Sequence, residues 1–345
     1  MPDIVCSNGE SKAGRGRKFL ELIFTGRHDQ LECGFTARNS RQFMAFHFKK
    51  KESPTKAARR LSRERIGKAL DHLQKCDRLE AVHSVRKEIK KVRATLGLVR
   101  ERMDGDAYRK YAKTLRAAAK HLRDARDAHV RPRTLERLMV HYKGRLPAHP
   151  FAGIKKVLRQ NYLGEIREFM QGESVATVDR LLRKINRRAR DLKVKAEGWT
   201  AIRSGLWKSY SRGRETCKVI LKETSPENLH RWRKHVQDLW HQLRLLCPIQ
   251  PDNLRAAVGE MKTLSQQLGD DHDLVMLRQF VTRRCARRHP EEVKLLNKLI
   301  DLRHRELRSA ALALGARFYA EKPSRFCRRL ENYWRTWRTG EKPRD

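Results

Sequence analysis

Cations recur at helical spacing in two places along this chain. His83, Arg86, Lys87, Lys90 and Arg93 occupy positions i, i+3, i+4, i+7 and i+10 of one stretch, and His230, Arg233 and Lys234 open a second stretch in the same register. On a helix those intervals stack side chains into a single row. A row of guanidinium and ammonium groups at that pitch suits a linear polyanion. Arg grips two phosphate oxygens at once, whereas Lys acts as a mobile point charge. Arg100 prolongs the first row and Arg244 the second. Gln237 and Trp240 stand where Lys90 and Arg93 stand in the first stretch, so the first row is expected to supply more of the positive charge.

The elements that must carry these rows are amphipathic helices. Apolar residues stand at 82, 85, 89, 92, 96 and 99, and again at 229, 232, 236, 239, 243 and 246. Alternating steps of three and four make a continuous apolar stripe, and the cations lie beside it, rotated by ~100°. Val82 and Leu229 are 147 residues apart, and a second pair of segments, Leu122–Asp127 and Leu268–Asp273, repeats at an offset of 146. Two matches at nearly one offset point to internal duplication, with a pseudo-two-fold relation between the halves.

A further row of cations, Lys113, Arg116, Lys120 and Arg123, has the same spacing; in the second half only Lys262 answers it. Asp124, Asp127, Asp270 and Asp273 are expected to orient Arg or His side chains, since their carboxylates would repel an anionic ligand. His83 and His230 sit at the border of the apolar and basic stripes. Each has two readings: a hydrogen bond donated in the packed interior, or contact with the ligand when protonated.

The whole chain is strongly basic. Lys and Arg number 80 against 40 Asp and Glu, a formal charge of +40 over 345 residues. Such a surface implies a polyanionic partner: nucleic acid, an anionic membrane surface or an inorganic phosphate chain. The Leu-, Arg-, Lys-, Ala- and Glu-rich composition with few β-branched runs predicts an all-α fold. Seven scattered cysteines, none in a CxxC pair, argue against a disulfide framework or zinc module and favour a reducing, cytoplasmic setting. No apolar run reaches the ~18–20 residues of a membrane span, so no membrane partner is expected.

Residues 1–53, punctuated by glycine, read as a basic extension, partly disordered, with short stretches at 19–24 and 42–48 that could be strands. Ser53-Pro54 starts the helical region. Helices are predicted near 55–76, 79–102, 107–143 (bent near Pro132), 151–170, 175–197, 200–223, 226–247, 252–288 and 290–320. This gives a first bundle over 54–172, a connecting helix over 173–198, a second bundle over 199–322 and a basic tail over 323–345.

With both rows and the downstream segments in view, the chain resembles the CHAD domain family, the conserved-histidine α-helical domains. The pattern His-x-x-Arg-Lys-x-x-Lys-x-x-Arg is complete at His83, Arg86, Lys87, Lys90 and Arg93, and present in its first part at His230, Arg233 and Lys234. The downstream Leu-Gly-x-x-x-Asp-like segment matches at Leu268, Gly269 and Asp273, and at Leu122 and Asp127 with Arg123 replacing the glycine. The resemblance, over roughly residues 54–322, implies two four-helix bundles facing each other across a central basic channel. It also implies binding of inorganic polyphosphate, commonly at granules, with no catalysis and no cofactor. On this reading Arg86, Lys90, Arg93, Arg233 and Lys234 make most of the contact, and His83, Lys87, Arg116, Lys120, Arg123, His230 and Arg244 support them.

Two other readings compete. The basic surface would attract RNA or DNA, and Tyr333, Trp334 and Trp337 in the tail could stack on bases. His272-Asp273 invites a metal-dependent phosphohydrolase reading, though its remaining ligands match no recognised spacing. No Gly-x-x-x-x-Gly-Lys-Ser/Thr loop is present, which removes support for P-loop kinase chemistry.

Overall fold

Proline opens five of the eleven α-helices found among the described residues. At the first helical position its missing N–H is no loss and its fixed φ is already helical. The computed structural model describes residues 46–75 and 78–340. The helices are α1 (Pro54–Lys75), α2 (Arg78–Val99), α3 (Gly105–His121), α4 (Arg123–His141), α5 (Ala152–Gln171), α6 (Ser174–Arg188), α7 (Thr200–Lys222), α8 (Pro226–Leu246), α9 (Pro251–Cys285), α10 (Pro290–Phe318) and α11 (Pro323–Thr339). No strand occurs among the described residues, and the fold is all-α. Side-chain caps fix two of the starts. Asp104 accepts from the Ala107 N–H at 2.8 Å before α3, and Ser225 accepts from the Asn228 N–H at 3.2 Å before α8.

The two apolar stripes are buried throughout. Val82, Val85, Ile89, Val92, Leu96 and Val99 line α2, and Leu229, Trp232, Val236, Leu239, Leu243 and Leu246 line α8. Both belong to one core shared with α1, α3, α6, α7, α11 and the first part of α9. A second core joins α4 and α5 to the rest of α9 and to α10. Helix α9 thus serves both cores; its 35 residues span about 52 Å at 1.5 Å each. Helix α6, within the stretch 173–198, packs against α1 and α3, and the chain then reaches α7 through residues 189–199.

Three expectations are corrected. The predicted helix over 107–143 is two helices, broken at Leu122, whose φ of −96° and ψ of 3° leave the helical region. No Gly or Pro marks the break. The charges at the break suit two separate ends: Lys120 and His121 close α3 and Asp124 opens α4, each on the favoured side of the helix dipole. Pro132, the expected bend, lies buried inside α4. The tail after residue 323 contains α11, packed on α7, with Trp334 only 3% exposed against Phe48 and Trp199. That burial removes Trp334 from any base-stacking role. Finally, residues 46–53 of the basic extension are docked: Phe46 and Phe48 are buried, and the Phe48 N–H donates to the Leu245 carbonyl at 3.0 Å. Residues 1–45, including the stretch at 19–24, and residues 341–345 lie outside the described residues.

Candidate anion-binding site

Helices α2 and α8 pack against each other, so the rows beside their apolar stripes come together. Among the charges acting on Lys90, Arg233 of α8 is the strongest, followed by Arg86 and by Arg126 of α4. Arg86 in turn faces Arg126, Arg123 and Arg233. Four half-buried cations from three helices (Arg86, Lys90, Arg126 and Arg233) therefore share one site. Arg86 is fixed there by its Nη1, which donates to the Ala119 carbonyl in the last turn of α3 at 2.8 Å. Gly269 of α9 lies beside Arg233: a Cβ there would sit in ordinary van der Waals contact with its Nη2, at 3.7 Å.

Burial first, and crowding of like charges second, show in the protonation of the basic groups. Loss of hydration, then Arg233, Arg86 and Arg126, pull the Lys90 ammonium down to about 7, with Asp273 opposing. The same loss of hydration, then Arg126, brings even the Arg86 guanidinium down to about 10, with Asp127 opposing. Desolvation followed by Lys87 and Lys90 lowers His83 to about 4, and desolvation followed by Lys234 and Arg233 lowers His230. The two motif histidines are therefore neutral at pH 7. His230 stacks on His272 with ring centroids 4.9 Å apart.

Two carboxylates stand among the cations and tie α4 to α9. Arg126 donates to Asp127 at 2.9 Å and to Asp273 at 2.8 Å, while Arg137 donates to Asp270 at 2.7 Å. Asp127 and Asp273 are buried, so these bonds hold Arg126 rather than float in solvent. Asp124 does not join them; it is exposed in the first turn of α4 and faces Arg131. Beside Asp270, Asp271 accepts from His304 at 2.6 Å and Arg308 at 2.8 Å, bracing α9 on α10. Among the described residues no group of three or more His, Cys, Asp or Glu side chains is arranged to hold a metal ion.

The remaining predicted residues divide by location. Lys87 and Lys234 are exposed next to the shared cluster, and Lys120 and Arg123 are exposed where α3 gives way to α4. Arg93 and Arg116 line a cleft between α2, α3, α7 and α8. Arg244 is drawn elsewhere. Its guanidinium lies 5.4 Å from the Trp240 ring centroid and 5.7 Å from that of Phe46, near the buried Arg65–Glu88–Lys91 ion group.

With this geometry in place, comparison with known proteins is decisive for family. The CHAD domain profile matches residues 64–282, more than half of the chain. The chain belongs to the CHAD domain family. Its fold is similar to the crystal structure of the CHAD domain from the plant Ricinus communis, with a TM-score of 0.56 and 14% identity over 76% of this chain and 92% of that one. It is equally similar to PptA from Streptomyces chartreusis, with a TM-score of 0.55 and 14% identity over 76% of this chain and 98% of that one. At such identity the likeness speaks to the fold. No curated protein matches the chain.

All four clustered cations fall inside the CHAD match. Arg126 is not among the cations expected from the sequence, although it lies within the repeated Leu122–Asp127 segment, which is its one sequence signal. Arg137 was missed too; it sits on α4 eleven residues beyond Arg126, three turns along the same face. Lys208 and Arg212 of α7, which join Arg93 at the cleft, carry no signal in the CHAD pattern beyond their own i, i+4 spacing. No helix among the described residues is long and apolar enough to cross a membrane.

Proposed function

We propose that this CHAD protein binds inorganic polyphosphate along a basic channel between two motif-bearing halves related by pseudo-two-fold symmetry. Binding is non-catalytic, and the protein accompanies polyphosphate granules in the cytoplasm. One observation supports this above the others: Arg86, Lys90, Arg126 and Arg233 converge, with Asp127, Asp270 and Asp273 beside them and Asp238 near Lys90, where burial first and the neighbouring cations second bring Lys90 down to about 7. Like charges packed at that density are costly to a fold. An anion threaded between them would relieve the cost. A phosphate chain carries about one negative charge per phosphorus and no bases to read, so a row of Arg and Lys is enough to hold it, whereas nucleic acid also calls for surfaces on which bases stack.

The test is calorimetric titration of the purified chain with polyphosphate of defined length at two salt concentrations, with an oligonucleotide of equal phosphate content in parallel. Polyphosphate should bind more tightly per phosphate and displace the oligonucleotide. Each phosphate neutralised releases counterions, so affinity should fall steeply as salt rises. Equal displacement per phosphate would leave a generic polyanion binder in place of the polyphosphate reading.

A further inference from the structure

The α2 row does not run out into open solvent at its C-terminal end. Beyond Lys90 it continues through Arg93 to Arg100, and there the helix passes into the 3-10 turn Arg100–Arg102. At this point α7 crosses close over α2: a Cβ on Gly205 would collide with the Leu98 carbonyl, so only glycine permits the approach. The crossing leaves a cleft of about 150 Å³ whose wall carries Arg93 and Arg100 of the α2 row, Arg116 of α3, and Lys208 and Arg212 of α7. Two acids share the wall, Glu101 and Asp238, leaving three positive charges in excess even with both ionised. Glu101 is already occupied, accepting from Lys208 at 2.9 Å with Arg100 at 3.6 Å. Arg93, Arg116 and Arg212 form no ion pair within 4 Å among the described residues. Gln242 closes the floor, its Nε2 donating to the Ala94 carbonyl at 3.4 Å.

Resting on the polyphosphate reading, we propose that this cleft receives the terminal phosphate of the chain, so that the protein reads a chain end and not only its length. At about 150 Å³ the cleft has room for a single phosphate, and its open side lets the rest of the chain leave it. Charge distinguishes the end from the middle. A terminal phosphate carries about −1.5 to −2 charges near pH 7, whereas an internal one carries about −1. Arg93 has Asp238 nearby and Arg212 has Glu101, but cations outnumber acids on the wall by three, which favours the more highly charged group, and each guanidinium can grip it with two hydrogen bonds. The row along α2 then holds the phosphates that follow.

The experiment compares one defined-length polyphosphate with the same chain blocked at both ends as neutral-amine phosphoramidates, titrated calorimetrically into the full chain. Free pyrophosphate is a third arm, and the terminal and internal 31P resonances are followed separately. Blocking should weaken binding about tenfold, the loss of roughly one charge-assisted contact. The terminal resonance should broaden before the internal ones. In a Lys208→Gln, Arg212→Gln variant, checked for unchanged helical circular dichroism, blocked and unblocked chains should bind alike. Equal binding of both chains to the parent overturns end-reading and leaves polyphosphate binding standing. Pyrophosphate binding as tight as the unblocked chain overturns it as well, since the cleft would then serve a free small anion. Failure of every chain to bind removes the polyphosphate reading itself.

Discussion

The cation rows of α2 and α8 begin with the same residues and end in different surroundings. On α2, the row reaches from the half-buried Arg86 and Lys90 to Arg93, Arg100 and the cleft. On α8, Arg233 enters the shared cluster, but Gln237 and Trp240 follow, and Arg244 is taken up by the Trp240 and Phe46 rings. Trp240 also stacks on His241, their centroids 4.5 Å apart. One row runs on to the cleft; the other spends its second half on packing. A repeated motif therefore fixes where a helix packs more firmly than it fixes what each copy binds.

The comparison breaks most readily by emptying the α2 row. Replacing Arg86, Lys90 and Arg93 with Ala together should cost several kcal/mol of polyphosphate binding, at ~1.5–3 kcal/mol per charged hydrogen bond. Helical circular dichroism should be retained. Parent-like affinity in that variant would refute the site assignment. The Arg233→Ala, Lys234→Ala pair should cost less, about tenfold to a hundredfold in Kd, because α8 supplies fewer ligand-facing cations. A larger loss from the α8 pair than from the α2 triple would reverse the ranking of the two rows.

Protonation sharpens the contrast further. Lys90 is held near 7 when free, and a bound polyanion would raise it. Binding above pH 7 thus takes up a proton, and affinity should rise as pH falls toward 7, by at most about tenfold per unit for one proton, then level off. The facing charges are Arg86 on α2, Arg126 on α4, Arg233 and Asp238 on α8 and Asp273 on α9. Calorimetry in buffers of different ionisation enthalpy should register this uptake at pH 8 in the parent and lose it in Lys90→Gln. A pH-independent Kd between pH 7 and 9 would contradict it. Smallest of all should be Arg244→Ala. Affinity should change less than about twofold, while stability falls by about 0.5–2 kcal/mol, the worth of a cation–π contact, as read by denaturant unfolding. An affinity loss comparable with that of Arg233 would return Arg244 to the ligand.

Much of this was legible in the sequence, and the physics explains which part. A stripe at steps of three and four specifies the face that must leave water, so the α2 and α8 cores were readable residue by residue. Pro54 and Pro226 announced helix starts, whereas the helix after Pro323 reads in sequence as a tail. The Leu122 break was not readable, because it is a change in one residue's φ and ψ with no Gly or Pro to mark it. Arg126 and the α7 wall of the cleft were hidden for a different reason. Which distant helices meet is decided by close approaches such as Gly205 on Leu98, and no periodicity within one helix encodes them. Arg244 shows the converse: its register was right, yet two aromatic rings offered its guanidinium a better surface than the row did.

The docked segment at residues 46–52 carries a practical consequence. Arg338 near the end of α11 donates to the Lys50 and Glu52 carbonyls, and Phe48 meets Trp334 edge-on at 5.7 Å. The beginning and the close of the fold are stitched together, like a drawstring. Trimming the chain to start at Pro54 would leave an aromatic socket open to water and loosen the last helix, so a shortened clone built on the boundary of the first helix should express poorly for reasons unrelated to its ligand.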